Sequence, residues 1–202
     1  MKPLSTAVAT LAVLIAPALA SPMATTTNAA TATAADIPDG PAATALDPGP
    51  ASLTIRVTNK AGVDLTTYQS PLQQTGIIRN GAVAVNYYPQ KWNGSIAINS
   101  HKYFAPIGDE SLIEASYDDK DAAFAVVDVD ISYVDGFSYP IMCYCAANGA
   151  YLSGCDKKLW TLGNKCPSNN GKATCVNPKR KVDLDNVTPD PFFAPCKGLA
   201  YT

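Results

Sequence analysis

Short β-branched runs separated by Gly, Pro and Asn recur through the chain, and they limit it to a mostly β fold. Val127 to Tyr133 is the clearest run, because apolar side chains alternate with Asp128, Asp130 and Ser132. Such alternation is typical of a strand with one buried and one solvent-facing side. Many short strands at this spacing predict a sandwich or barrel of antiparallel sheets. The other candidate strands are Leu53–Val57, Ile77–Ile78, Ala82–Val85, Ser95–Ile98 and Leu112–Tyr117.

Residues 1–20 have the pattern of a secretory signal peptide. Lys2 supplies the positive charge, Leu11 to Ile15 form a short apolar run, and Ala18-Leu19-Ala20 gives the small-x-small cleavage pattern. No segment reaches the roughly 18 apolar residues that a membrane-spanning helix needs. We therefore expect a secreted, extracellular protein without membrane insertion.

Residues 21–50 are rich in Ala, Thr and Pro and nearly lack large apolar side chains. Such a segment buries too little apolar surface to offset the entropy of ordering it, so we expect a disordered linker. A pro-segment removed on maturation is the alternative. Residues 51–202 then form a single domain, in which residues 141–202 carry every cysteine and form a small disulfide-rich subdomain.

The six cysteines favour disulfide bonds over a metal site. An even number in an exported chain indicates disulfides, and six cysteines allow fifteen pairings that the sequence leaves open. Zinc is the alternative for Cys143 and Cys145, but one intervening residue is fewer than zinc-binding pairs have, and the compartment is oxidising. We therefore expect no metal and no other cofactor. The predicted disulfide cysteines are Cys143, Cys145, Cys155, Cys166, Cys175 and Cys196.

Two sequons and the net charge bear on the partners of the chain. Asn93-Gly94-Ser95 and Asn186-Val187-Thr188 predict N-glycosylation at Asn93 and Asn186. The formal net charge of −2 gives no electrostatic reason to bind nucleic acid or an anionic membrane. We expect a monomer.

Carboxylates are the residues most suited to chemistry. Asp128 and Asp130 lie two apart on one strand face, about 6.5 Å along it, a separation seen between the two carboxylates of glycosidases. Glu114, on a separate predicted strand, would join them if the two strands pair. In a straight strand, the side chain of Asp135 would lie on the same face as the apolar residues, opposite Asp128 and Asp130. It joins the group only if the chain turns or bulges near Val134. A solvated strand face and an ordinary Asp-Gly turn are the structural alternatives.

Aromatic residues and the single histidine give weaker signals. Tyr87, Tyr88 and Trp92 could stack on sugar rings, or they could fill the core. A nucleophile–histidine arrangement would have to use His101, and no neighbouring residue completes one.

The stretch from Asp128 to Ile141, DVDISYVDGFSYPI, resembles the central signature of thaumatin-like proteins. Leu112 to Ser116 is similar to the strand that carries the family's cleft glutamate. Three later segments are similar to the cysteine-rich region of small fungal members and to the family's Phe-x-x-x-Cys-x-x-Ala-Tyr segment. They are Gly154 to Leu159, Cys175 to Pro178 and Phe192 to Thr202.

The resemblance implies a β-sandwich with a disulfide-rich second part and an acidic cleft that binds β-1,3-glucan. Glu114, Asp130 and Asp135 match the cleft carboxylates and are the candidate catalytic residues. The family's cleft arginine has no clear match, and Lys102 stands roughly where it is expected. Asp128, Lys102, Tyr88 and Trp92 are the candidate substrate-binding residues.

These features predict a secreted protein that binds β-1,3-glucan or a related polysaccharide at a cell wall or in the extracellular space. A weak endo-β-1,3-glucanase is the first alternative, with Glu114 as proton donor and Asp130 or Asp135 as the second carboxylate. A secreted effector or antifungal defence protein is the other, and an exposed apolar patch without an acidic groove would favour it.

Overall fold

The computed structural model describes residues 9–15, 52–103, 107–121, 124–180 and 188–202. These residues form twelve strands and short 3₁₀ turns. The predicted linker, residues 21–50, and the sequon residue Asn186 lie outside the described residues. The strands are β1 (Ala9–Ile15), β2 (Ser52–Asn59), β3 (Leu65–Ser70), β4 (Gln74–Ile78), β5 (Val83–Pro89), β6 (Asn93–Ser100), β7 (Ser111–Asp121), β8 (Phe124–Ser132), β9 (Gly136–Phe137), β10 (Ile141–Cys145), β11 (Tyr151–Cys155) and β12 (Cys175–Val176).

Two five-stranded sheets make up most of the fold. The first has the order β11-β10-β1-β2-β5 and the second the order β4-β3-β6-β7-β8. Neighbouring strands pair in antiparallel fashion, except that β1 runs parallel to β2. The prediction of a mostly β chain with antiparallel sheets is therefore confirmed.

A single hydrophobic core receives side chains from both sheets. Alternate residues of β2, such as Ile55 and Val57, are fully buried, as are Ile113 in β7 and Ile131 in β8. These residues belong to one continuous cluster of apolar side chains. The alternation read from the sequence thus places the apolar face of β8 in the core and leaves its aspartates on the outer face.

Strand β1 overlaps the predicted signal peptide. Its seven residues lie in the middle of the first sheet, where they pair with β2 on one side and β10 on the other. The apolar run that resembles a leader also has the composition of a buried strand, which explains how it fits there. Removal of residues 1–20 stays a prediction.

A buried carboxylate shapes the loop before β7. Glu110 is 1% exposed, and its carboxylate oxygens accept hydrogen bonds from the backbone N–H groups of Ile107, Gly108 and Asp109 at 2.7, 2.9 and 3.1 Å. Asp109 in turn pairs with Arg180 at 2.5 Å. This loop therefore links the start of β7 to the cysteine-rich part of the chain.

The cysteine-rich part joins the first sheet instead of standing apart, because β10 and β11 are two of its strands. Disulfides connect Cys155 to Cys196 and Cys166 to Cys175. The prediction that all six cysteines form disulfides is wrong for Cys143 and Cys145, which carry free thiols. Both lie on β10, two residues apart, so parallel side chains place their Cβ atoms about 6.6 Å apart, beyond the roughly 4.5 Å that a disulfide allows. Their β1 partners, Val13 and Leu11, offer no sulfur.

Candidate functional site

Two of the predicted carboxylates lie directly opposite each other on the outer face of the second sheet. Glu114 of β7 is the register partner of Asp130 of β8. Opposed residues of an antiparallel pair have Cβ atoms about 4.5–5.5 Å apart, so their carboxylates share one small volume. The pairing arises because Ile113 and Ile131, one position away on each strand, both point into the core.

A bend after β8 brings Asp135 to the same place. The chain leaves the strand at Tyr133 and bends at Val134 and Asp135, which supplies the turn that the parity of Asp135 requires. The next position, Gly136, has no room for a side chain, because a Cβ atom there would lie 2.3 Å from the carbonyl oxygen of Asp109. Only glycine allows that close approach.

The three carboxylates line one open pocket of about 240 Å³. Its remaining lining is mainly apolar or aromatic, and among the described residues it includes no basic side chain. The full lining is Leu112, Glu114, Asp130, Ser132, Val134, Asp135 and Tyr201. The pocket thus combines clustered carboxylates with an aromatic wall.

Tyr201 was not among the predicted site residues. Its backbone N–H donates to the carbonyl of Ile131 at 3.0 Å, and its carbonyl accepts from the N–H of Tyr133 at 2.7 Å. These bonds hold the C-terminal segment against the end of β8, while Tyr201 stays 57% exposed beside the carboxylates. The sequence gives no local sign of this position, because it depends on the path of the chain after the Cys155–Cys196 disulfide.

Asp130 is the electrostatically unusual member of the group. Burial, followed by the nearby charges of Glu114 and Asp128, raises the pKa of its carboxyl from about 3.8 to about 6. One carboxyl oxygen, Oδ1, is buried and has no hydrogen-bond partner in the described part of the chain. A carboxyl in this setting holds its proton more readily than a solvated one.

Asp128 lies next to the pocket without lining it. It is exposed on β8, opposite Ser116, one step along the same outer face from Asp130. Its part in the site is therefore electrostatic, through the pKa of Asp130.

The other predicted substrate-binding residues lie elsewhere, and these assignments need correction. Tyr88 and Trp92 are 1% and 6% exposed and stack on each other at 3.8 Å in the core, so neither ring is available to a sugar. Lys102 follows β6 at an exposed turn, and its Nζ lies 5.8 Å from the ring centroid of Tyr103. Lys102 does not line the pocket and cannot replace a cleft arginine there.

The remaining predictions concern surface modification and metals. Asn93 is exposed at the first position of β6 and is accessible to a glycan. The described residues include no group of three or more His, Cys, Asp or Glu side chains placed to hold a metal ion. Within the same residues, no helix has the length and apolar character to cross a membrane.

The pocket is suited to two kinds of chemistry. Ionised carboxylates accept hydrogen bonds from hydroxyl groups, and an exposed aromatic ring offers a flat apolar face. A carboxyl with a raised pKa beside an ionised one can also donate a proton to a leaving oxygen.

Comparison with known proteins gives no further assignment. No family model matches the chain, and no curated protein is significantly similar to it.

Proposed function

We propose that this chain is a secreted thaumatin-like protein that binds β-1,3-glucan in the pocket formed by Glu114, Asp130, Asp135 and Tyr201. The observation that carries the proposal is the convergence of these four residues in one open pocket. They come from two strands, a bend and the C-terminal segment. A solvated strand face would not require such a convergence.

The resemblance supplies the ligand class. The DVDISYVDGF run, which resembles the thaumatin-like signature, includes two of the three pocket carboxylates, Asp130 and Asp135. Glu114, the match for the family glutamate, is the direct neighbour of Asp130. Two five-stranded sheets that share one core are also compatible with the sandwich that the resemblance implies.

A glucan chain would use both sides of the pocket. Sugar hydroxyl groups would donate hydrogen bonds to the carboxylates of Glu114 and Asp135, and the apolar face of one sugar ring would lie on Tyr201. Neutral polysaccharides suit this pocket better than acidic ones, because the described lining carries three carboxylates and no cation. An anionic polymer would be repelled.

Secretion is part of the same proposal. The leader-like N-terminus, the two disulfides and the exposed sequon at Asn93 each fit an oxidising compartment. The cell wall or extracellular space is where a glucan ligand would be met.

Weak glucan hydrolysis is a second candidate, favoured by the pKa of Asp130. A carboxyl that titrates near pH 6 can act as general acid, so Asp130 is better placed than Glu114 to protonate the glycosidic oxygen. Glu114 or Asp135 would then activate water or stabilise the positive charge that develops on the sugar. This exchanges the roles that the resemblance suggests for Glu114 and Asp130.

The experiment is a pull-down on insoluble β-1,3-glucan, with cellulose and chitin as control polymers and released reducing sugar measured in the same tubes. We expect selective retention on β-1,3-glucan, reduced by Tyr201→Ala and unchanged by Lys102→Ala. Sugar release that disappears in Asp130→Asn would add hydrolysis. Equal retention on all three polymers, or on none, would contradict glucan binding and leave the effector alternative.

A further inference from the structure

The middle strand of the first sheet, β1, pairs with a neighbouring strand on each side. All seven residues of β1 pair in parallel with β2, from Ala9 opposite Leu53 to Ile15 opposite Asn59. On the other side, Leu11 to Ile15 pair antiparallel with Cys145 to Ile141. Neither β2 nor β10 has any other partner on that side in the described sheet.

The strands on either side of β1 belong to the deepest part of the core. Ile55 and Val57 of β2 and Ile141 and Cys143 of β10 are each 0% exposed. If β1 left, the facing backbone N–H and C=O groups of both strands would lose their partners beside a hydrophobic core. Unpaired backbone groups at a sheet edge are an attachment site for another strand.

The same residues are the apolar run of the predicted leader. Cleavage after Ala20 would remove β1 and leave β2 and β10 in the processed chain. We propose that the space between β2 and β10 is a strand-accepting slot, and that in the processed protein it binds an extended apolar segment of another chain.

The geometry of β1 defines what such a segment must be. It runs parallel to β2 and antiparallel to β10, spans about seven residues, and needs an N–H group at each pairing position, which excludes proline. The present occupant, ATLAVLI, carries no charge and is mainly β-branched or aliphatic. We therefore expect a neutral, aliphatic partner segment, recognised by main-chain hydrogen bonding along its length.

The test uses the secreted protein, with its N-terminus established by intact mass. The probe is a synthetic ATLAVLI peptide with lysines added outside the seven residues for solubility. The control peptide carries Leu11→Pro and Val13→Pro, which remove two N–H donors while preserving length and charge. Hydrogen exchange is followed in residues 53–59 and 141–145, and in residues 65–70 of β3 as an internal reference.

We expect the first peptide to slow exchange in β2 and β10 at least tenfold, with no change in β3 and no effect of the proline peptide. If the processed chain folds poorly alone, the first peptide and not the second should restore its near-ultraviolet circular dichroism on refolding. A monomer that retains residues 9–15, or a processed monomer whose β2 and β10 amides are protected without peptide, would overturn the proposal. A processed dimer with those amides protected would identify a second copy of this chain as the occupant and would contradict the proposal that a different protein supplies the strand.

Discussion

Glu114 and Asp130 are register partners on two neighbouring antiparallel strands, and both side chains face the outer side of the second sheet. Like charges directly opposite in a sheet destabilise it. The pair is therefore a poor choice for stability alone, and the unpartnered oxygen of Asp130 adds to the cost. The proposed use of these carboxylates to bind or cleave a ligand would explain why they are placed together.

Replacing Asp130 by asparagine should stabilise the protein at neutral pH. The folded-state pKa of Asp130 lies above its unfolded value, so the folded form holds a proton between about pH 4 and pH 6 that the unfolded form releases. The contribution of Asp130 to stability is therefore present below about pH 4 and is lost as pH rises through about 6. After allowance for solvent screening at this half-buried site, we expect Asp130→Asn to gain about 1 kcal/mol at pH 7.

Urea unfolding of both proteins from pH 4 to pH 7 checks this prediction. The difference in unfolding free energy should grow up to about pH 6 and then stay constant. Asp156→Asn is the matched control, since that carboxyl is exposed and lies outside the pocket, and it should change stability much less. A constant difference at every pH would mean that Asp130 does not titrate as described.

Replacing Glu114 by glutamine should lower the pKa of Asp130. The charge of Glu114 is the second contribution, after burial, to the raised value. Removing this charge leaves burial and the charge of Asp128 in place, so we expect the pKa of Asp130 to fall below about 6 but to stay above 3.8. Titration of the Asp130 carboxyl carbon by nuclear magnetic resonance measures the change directly, and an unaltered titration would show that the two carboxylates do not interact.

Tyr201→Ala should weaken glucan binding without weakening the fold. Tyr201 is 57% exposed, and the two hydrogen bonds that fix this residue come from its backbone. Loss of one stacking ring is worth about 1 kcal/mol, or about fivefold in affinity. Tyr103→Ala is the control, because that ring does not line the pocket. Equal effects of the two substitutions in a binding assay would argue against a role for Tyr201.

The two disulfides should differ in their contribution to stability. Cys155 and Cys196 are separated by 41 positions and Cys166 and Cys175 by 9. Loop-closure entropy then predicts losses of about 4 and about 3 kcal/mol when each pair is replaced by alanine. Burial of Cys155 and Cys196 adds to the first loss. The reverse order of stability in urea unfolding would contradict this account.

Alkylation without reduction should label two cysteines in the unfolded protein, Cys143 and Cys145. In the folded protein at pH 8, only Cys145 should react readily. Burial, with Cys145 and Asp130 nearby, raises the pKa of the Cys143 thiol to about 12, so it stays protonated and protected. Mass spectrometry of the labelled peptides measures both results. An unfolded protein without any labelled cysteine would instead support three disulfides.

Local pattern predicted β4, β6, β7 and β8 of the second sheet and the face on which Asp130 lies, because period-two alternation directly reports burial. It also identified Val134 to Gly136 as the turn that Asp135 requires. It missed β3, the fifth strand of that sheet. Pattern could not decide whether Tyr88 and Trp92 face the core or the solvent, since aromatic residues suit both. Nor could it place Tyr201, pair the cysteines, or show that Ala9 to Ile15 fit between β2 and β10. Those features depend on contacts between residues far apart in the chain.

The most direct test of glucan binding by the pocket is a titration of isotope-labelled protein with a soluble β-1,3-glucan oligosaccharide, followed by nuclear magnetic resonance. The account predicts saturable shift changes centred on Glu114, Asp130, Asp135 and Tyr201, with little change around the buried pair Tyr88 and Trp92 or at Lys102. Saturable changes confined to another surface, or none at millimolar oligosaccharide, would contradict it.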